Sequence, residues 1–167
     1  LLDNGRVMAG RVDDVPRVLR EMGIVVMDPN IPEETLAWAR ERGRSAHFGI
    51  RLLHEGTLNW TTLDPRLTPY LEAYAKFLEA TQFRPAGFER PLAHARLGFA
   101  GTPDVWGDLG CKAVVLDVKC VAEVHPATGV QTAAYRLLLQ ENGIPIAERH
   151  ALQLLPDGNW RLHPHRD

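Results

Sequence analysis

The sequence predicts an α/β (α+β) fold: one central mixed β-sheet flanked by helices. Three observations carry this expectation. Apolar residues at helical spacing run through two long segments before residue 83. Short strand-like runs bounded by glycine and proline follow. One of them, Ala113-Val114-Val115-Leu116, is apolar on both faces, so it should be a central strand covered on both sides. With 167 residues and 45% hydrophobic content, the chain can bury a core of its own.

In chain order, Leu1 to Val12 reads as a short hairpin about Asn4-Gly5, a strong two-residue turn signal. Asp13 or Asp14 caps a short helix ending near Met22, with Gly23 as its stop, and Ile24 to Ile31 is a loop. Residues 1–31 form an extension to a single domain spanning 1–167. Pro32 suits a first helical position, and Glu33 and Glu34 suit a helix N-terminal dipole. The helix from Glu33 to His54 carries Leu36, Ala39, Gly43, Ala46, Ile50 and Leu53 at spacings of three and four. Gly43 costs about 1 kcal/mol against alanine in a helix interior, and a close helix-to-sheet contact is the simplest reason to carry it. Leu67 to Phe83 is a second helix, broken by Pro85-Ala86-Gly87. Strands are expected over Phe88–Ala95, Phe99–Gly107 and Lys112–Cys120, a helix over Val130–Glu141, and a final hairpin from Ile144 to His163 about Asp157-Gly158.

Bulk properties exclude several classes. No apolar run approaches the roughly 20 residues a membrane span needs, and no signal peptide is visible. The two cysteines, Cys111 and Cys120, cannot build a disulfide framework or a four-cysteine iron–sulfur cluster. They read as reduced packing residues in an intracellular, cytoplasmic protein. A net charge of -2 announces no global basicity, although a local basic groove can coexist with an acidic metal site. No phosphate-binding Gly-x-x-x-x-Gly-Lys-[Ser/Thr] loop occurs.

The chemistry concentrates between Gly98 and Tyr135. A turn centred on Gly110 and Cys111 pairs residue 109 with 112 and, counted outward, 104 with 117. Directly opposed residues of an antiparallel pair share a face, with β-carbons about 5 Å apart. Lys119, two residues after Asp117, joins that face. Two carboxylates so close raise one another's pKa unless a cation separates them, and a hard divalent ion, magnesium or manganese, suits oxygen ligands. The other reading is a salt-bridged pair on a solvent-facing sheet surface.

Pro103-Asp104 and Asp117-Val118-Lys119 resemble the two halves of the signature of the PD-(D/E)XK nuclease superfamily. Gln131-Thr-Ala-Ala-Tyr135 resembles the Gln-x-x-x-Tyr motif of its RecB-like exonuclease branch, and Gly43 to His47 resembles that branch's glycine-then-histidine helix. The resemblance implies a restriction-endonuclease-like core. It implies that His47, Asp104 and Asp117 bind a metal, with the backbone carbonyl of Val118 as a further ligand. Lys119 is then the catalytic lysine, and Gln131 and Tyr135 hold the substrate strand. The expected activity is magnesium- or manganese-dependent hydrolysis of DNA phosphodiesters, by an exonuclease of the compact kind that phages encode. Such a chain stands alone or is cut from a larger assembly, with a homo-oligomer or a recombination or replication protein as partner. The rival expectation is a non-catalytic nucleic-acid-binding module on the same fold.

Around this set, Glu89 is a candidate supporting carboxylate. Strand alternation puts it on the opposite face from His94, so only one of them can reach the site. Arg44 is the candidate phosphate contact among the arginines of the long helix, which otherwise form a solvated face. His54, His125, His150, His163 and His165 show no ligand spacing and are expected at the surface.

Overall fold

The computed structural model describes residues 32–166, together with the backbone of Leu2–Asp3 and Arg6–Val7. The chain divides into two compact units, Leu1–Leu36 and Ala37–Asp167, where the sequence suggests one domain with a short extension. In the first unit, β1 (Leu2–Asp3) and β2 (Arg6–Val7) pair antiparallel, Leu2 with Val7 and Asp3 with Arg6. They bracket Asn4-Gly5, as the turn signal requires. The short helix expected up to Met22 and the loop to Ile31 lie outside the described residues.

Helix α1 spans Glu33–His54, with Glu33 and Glu34 in its first turn. Its buried residues are Ala46, Gly49 and Ile50, all in the C-terminal half. The expected stripe is therefore only partly realised: Ala39 is exposed. Gly43 makes no close helix-to-sheet contact, contrary to expectation: nothing lies within 4 Å of where its β-carbon would stand. The close approach is made at Gly49, where a β-carbon would sit 2.6 Å from Leu71 Cδ1. Helix α2 (Thr68–Thr81) starts on Pro69 and buries Tyr70, Leu71, Ala73, Tyr74 and Phe77.

The main sheet has five strands in the order β3-β6-β7-β8-β9. Strand β3 (Arg84–Phe88) contains the Pro85-Ala86-Gly87 segment that the sequence suggests as a breaker. The edge position explains this, since an edge proline need not donate to a ladder, and the register shifts between Pro85 and Gly87 as at a bulge. The strands expected over 88–95 and 99–107 are interrupted. Strands β4 (Leu92–His94) and β5 (Phe99–Gly101) form a separate two-stranded sheet, and β6 (Val105–Leu109) joins the main one. Pro103, which has no N–H to donate, lies in the break.

Strand β7 (Lys112–Lys119) is central. It pairs antiparallel with β6, Leu109 with Lys112 through Val105 with Leu116, in the register expected from the Gly110-Cys111 turn. Helix α3 (Ala127–Glu141) then crosses over to β8 (Glu148–Leu154), which runs parallel to β7. Strand β9 (Trp160–His165) returns antiparallel after Asp157-Gly158.

The two faces of the sheet carry separate cores. Val114, Leu116 and Val118 of β7 pack with Leu152, Leu154, Phe77, Leu71 and Ile50, on the side of α1 and α2. Val115 packs with Trp106, Leu138, Leu139 and Ile146, on the side of α3. Asp117 and Lys119 follow Val115 at the strand period of two, so they too face α3.

Candidate metal centre

The centre lies at the C-terminal end of β7. Continuing the β6–β7 register one step past Val105 sets Asp104 opposite Asp117, in the bend just before β6. Asp104 Oδ2 accepts the Val118 N–H at 2.8 Å, so this buried carboxylate closes the end of the ladder. Asp117 is fully buried. Lys119 Nζ donates to its Oδ1 at 3.0 Å and stands 2.9 Å from Oδ2. The contact to Oδ2 is out of line for a hydrogen bond, so that oxygen is buried without a donor. Lys119 Nζ also donates to Gln131 Oε1 at 3.1 Å, and Gln131 Nε2 donates to the Tyr135 hydroxyl at 2.7 Å. Gln131 and Tyr135 sit one turn apart on α3 and share a face. Asp117, Lys119, Gln131 and Tyr135 form one continuous polar chain.

His47 enters from α1. Its Nε2 is 3.1 Å from the Val118 carbonyl oxygen and 3.8 Å from Asp104 Oδ2, and its Nδ1 is 3.4 Å from Glu89 Oε1. Glu89 reaches it through a left-handed backbone, φ 42°, rare outside glycine and costing about 1–3 kcal/mol. Its N–H donates to the Asp104 carbonyl at 2.9 Å, which holds that turn. With the proton on Nε2, the ring donates to the Val118 carbonyl; with the proton on Nδ1, it faces Glu89 and leaves the Nε2 lone pair free for a cation. This is how a carboxylate orients a ligating histidine. Strand alternation does not decide between Glu89 and His94, because Glu89 lies outside any strand and His94 belongs to β4. His94 is buried beside Phe99, with Nδ1 3.8 Å from Glu141.

The donors fit a small hard cation. Around an octahedral ion with ligands near 2.1 Å, neighbouring ligands lie roughly 3.0 Å apart and opposite ones roughly 4.2 Å. The 3.1 Å between His47 Nε2 and the Val118 carbonyl is that of neighbouring ligands, and the 3.8 Å from Nε2 to Asp104 Oδ2 lies between the two values. A void of about 10 Å³, the size of one water, is lined by His47, Glu89, Asp104 and Val118 together with Ile50, Arg51, Phe88 and Val105. Among the described residues no three His, Cys, Asp or Glu side chains make a ligand set by themselves. Lys119 claims Asp117, and the Val118 backbone oxygen supplies what the side chains do not.

Electrostatics follow from burial. It pushes the Asp104 carboxyl up to about 6, with Asp117 adding to the rise and His47 opposing it. Burial likewise raises Asp117 against the pull of Lys119. The Tyr135 phenol is driven up by burial and by the charge on Asp104, and stays protonated as a donor.

Arg44 is not in this cluster. It is exposed, 3.9 Å from Glu41, at the rim of a neighbouring cleft. Two residues that sequence reasoning passed over hold the strand end. Arg42 Nη2 donates to the Cys120 carbonyl at 2.7 Å. Buried Gln153 donates to the Val121 and Ala122 carbonyls, both at 2.9 Å, and its Oε1 is 2.9 Å from His163 Nε2. A glutamine inside the apolar run of β8 was the available signal. His54 and His150 are also not surface residues: His54 bonds the Tyr74 hydroxyl at 2.7 Å and stacks on Phe88, and His150 is buried.

No protein-family model and no curated protein matches the chain.

Proposed function

We propose that the chain is a metal-dependent DNA nuclease, an exonuclease resembling the RecB-like branch of the PD-(D/E)XK superfamily. The observation that carries this reading is the convergence of His47 Nε2, the Val118 carbonyl and Asp104 Oδ2 beside the Asp117–Lys119 pair. His47, Asp104, Asp117 and the Val118 carbonyl would hold magnesium or manganese, with Glu89 orienting His47. When bound, the ion supplies a polarised phosphoryl oxygen and an acidified water. Lys119, set between Asp117 and Gln131, is placed to move a proton or to neutralise charge developing on the phosphate. Gln131 and Tyr135 extend the donor set towards the strand being cut.

The test is cleavage of single- and double-stranded DNA with magnesium or manganese by wild type, Asp117→Ala and Lys119→Ala. Loss of two to four orders of magnitude in Lys119→Ala is expected, and equal cleavage by all three rejects the proposal. A second reading, a nucleic-acid-binding module without catalysis, draws on Lys119 being committed to Asp117 Oδ1 and Gln131 Oε1. It predicts salt-dependent binding that survives Asp117→Ala and needs no metal.

A further inference from the structure

Beside the candidate centre, α1 presents Arg44, Phe48 and Arg51, which the site does not use. Gly43, Arg44, His47, Phe48 and Glu89 line an open cleft of about 330 Å³. His47 and Glu89 also line the ion-sized void, so the cleft adjoins the centre. Phe48 is 51% exposed although it sits mid-helix, next to His47. Arg44 precedes it by one turn and Arg51 follows by three residues, so the three share a face. The Arg51 guanidinium lies over the Phe48 ring, 5.1 Å from its centroid. The place of a β-carbon at Gly43 is empty to 4 Å, which leaves the cleft floor open one turn before His47.

An exposed aromatic ring flanked by two cations, at the mouth of a site suited to a phosphate, has the composition of a stacking platform for single strands. There the ring takes a base face and the cations take backbone phosphates. We infer that Phe48, with Arg44 and Arg51, binds an unpaired nucleobase of the strand entering the centre, and so selects single-stranded ends over intact duplex. A base within a duplex has both faces stacked and cannot offer one to a side chain. This inference rests on the nucleic-acid reading above and names its substrate class.

The experiment is fluorescence anisotropy in EDTA, which prevents cleavage. The probes are a labelled twelve-residue oligothymidylate, an abasic strand of equal length, and a blunt duplex. Wild type should bind the thymidylate more tightly than the abasic strand or the duplex. Phe48→Ala should weaken thymidylate binding by about 5- to 150-fold, leave abasic binding unchanged, and keep the salt dependence, since no charge is removed. Phe48→Trp should retain wild-type affinity, and Arg44→Ala should weaken thymidylate and abasic strands alike. Phe48→Ala binding thymidylate as wild type does, or losing equally on the abasic strand, overturns the platform. So does a wild-type preference for the duplex. Wild type that binds neither strand and cleaves nothing overturns the nucleic-acid reading as well. Stacking behaviour without cleavage keeps the platform and rejects only the nuclease.

Discussion

The two faces of β7 differ in kind. Towards α1 and α2, the strand sets Val114, Leu116 and Val118 into a continuous apolar core. Towards α3 it begins the same way with Val115, then turns to Asp117 and Lys119. One strand therefore buries hydrocarbon on one side and an ion pair on the other. Burying charge costs several kcal/mol per ion even when paired. That cost is tolerated because the first face is packed well enough to hold the strand in place. The apolar face supplies stability, and the polar face spends part of it to keep two carboxylates and a lysine together.

Breaking the apolar face should have the largest effect. Leu116→Ala should lower unfolding free energy by about 2–5 kcal/mol while leaving cleavage per folded molecule within a few-fold of wild type. Denaturant melts with active-site-normalised rates test this, and a rate loss matching a Lys119 variant would erase the distinction between the faces.

On the polar face, Asp104 gives the next effect. Its pKa is raised to about 6 by burial, against an ordinary aspartate value near 3.9. Between those values the folded state holds a proton that the unfolded chain has released. Stability of the metal-free protein therefore falls as pH rises from about 4 to about 6, and stays reduced above. Asp104→Asn should be more stable than wild type by about 2–3 kcal/mol at pH 7.5 in EDTA, with the advantage gone by pH 4. A difference between the two that does not vary with pH would reject this account.

The finest test concerns orientation. Glu89→Gln should weaken manganese binding by about 10- to 100-fold in isothermal titration, with the fold unchanged by circular dichroism. Unaltered affinity would mean that Glu89 does not set the His47 ring.

Much of this contrast was legible in the sequence because it depends on strand period and turn register. Gly110 and Cys111 fix which residues oppose each other, so Asp104, Asp117 and Lys119 could be placed on one side of a hairpin. The bounds of α1 followed from Pro32 and the spacing of its apolar residues. What escaped depended on long-range contacts. Gly43 and Gly49 are both helix-interior glycines, and only the position of Leu71 decides which one is tight. Glu89 reaches His47 through a left-handed turn that no propensity of glutamate suggests. Gln153 is more than thirty residues from the loop it anchors.

That anchoring bears on how the protein is made. His47, Asp104, Asp117, Lys119, Gln131 and Tyr135 all precede β8, yet β8 pairs with β7 along Val114 to Lys119 and ties down Val121 and Ala122. Until residues 148–154 leave the ribosome, β7 presents an open edge of unpaired backbone groups alongside Val114, Val115 and Leu116, the kind of edge that invites aggregation. The growing chain thus carries its full set of candidate catalytic and ligating groups before it can hold them in register. Competence therefore waits on residues 148–154, which follow every one of those groups in the chain.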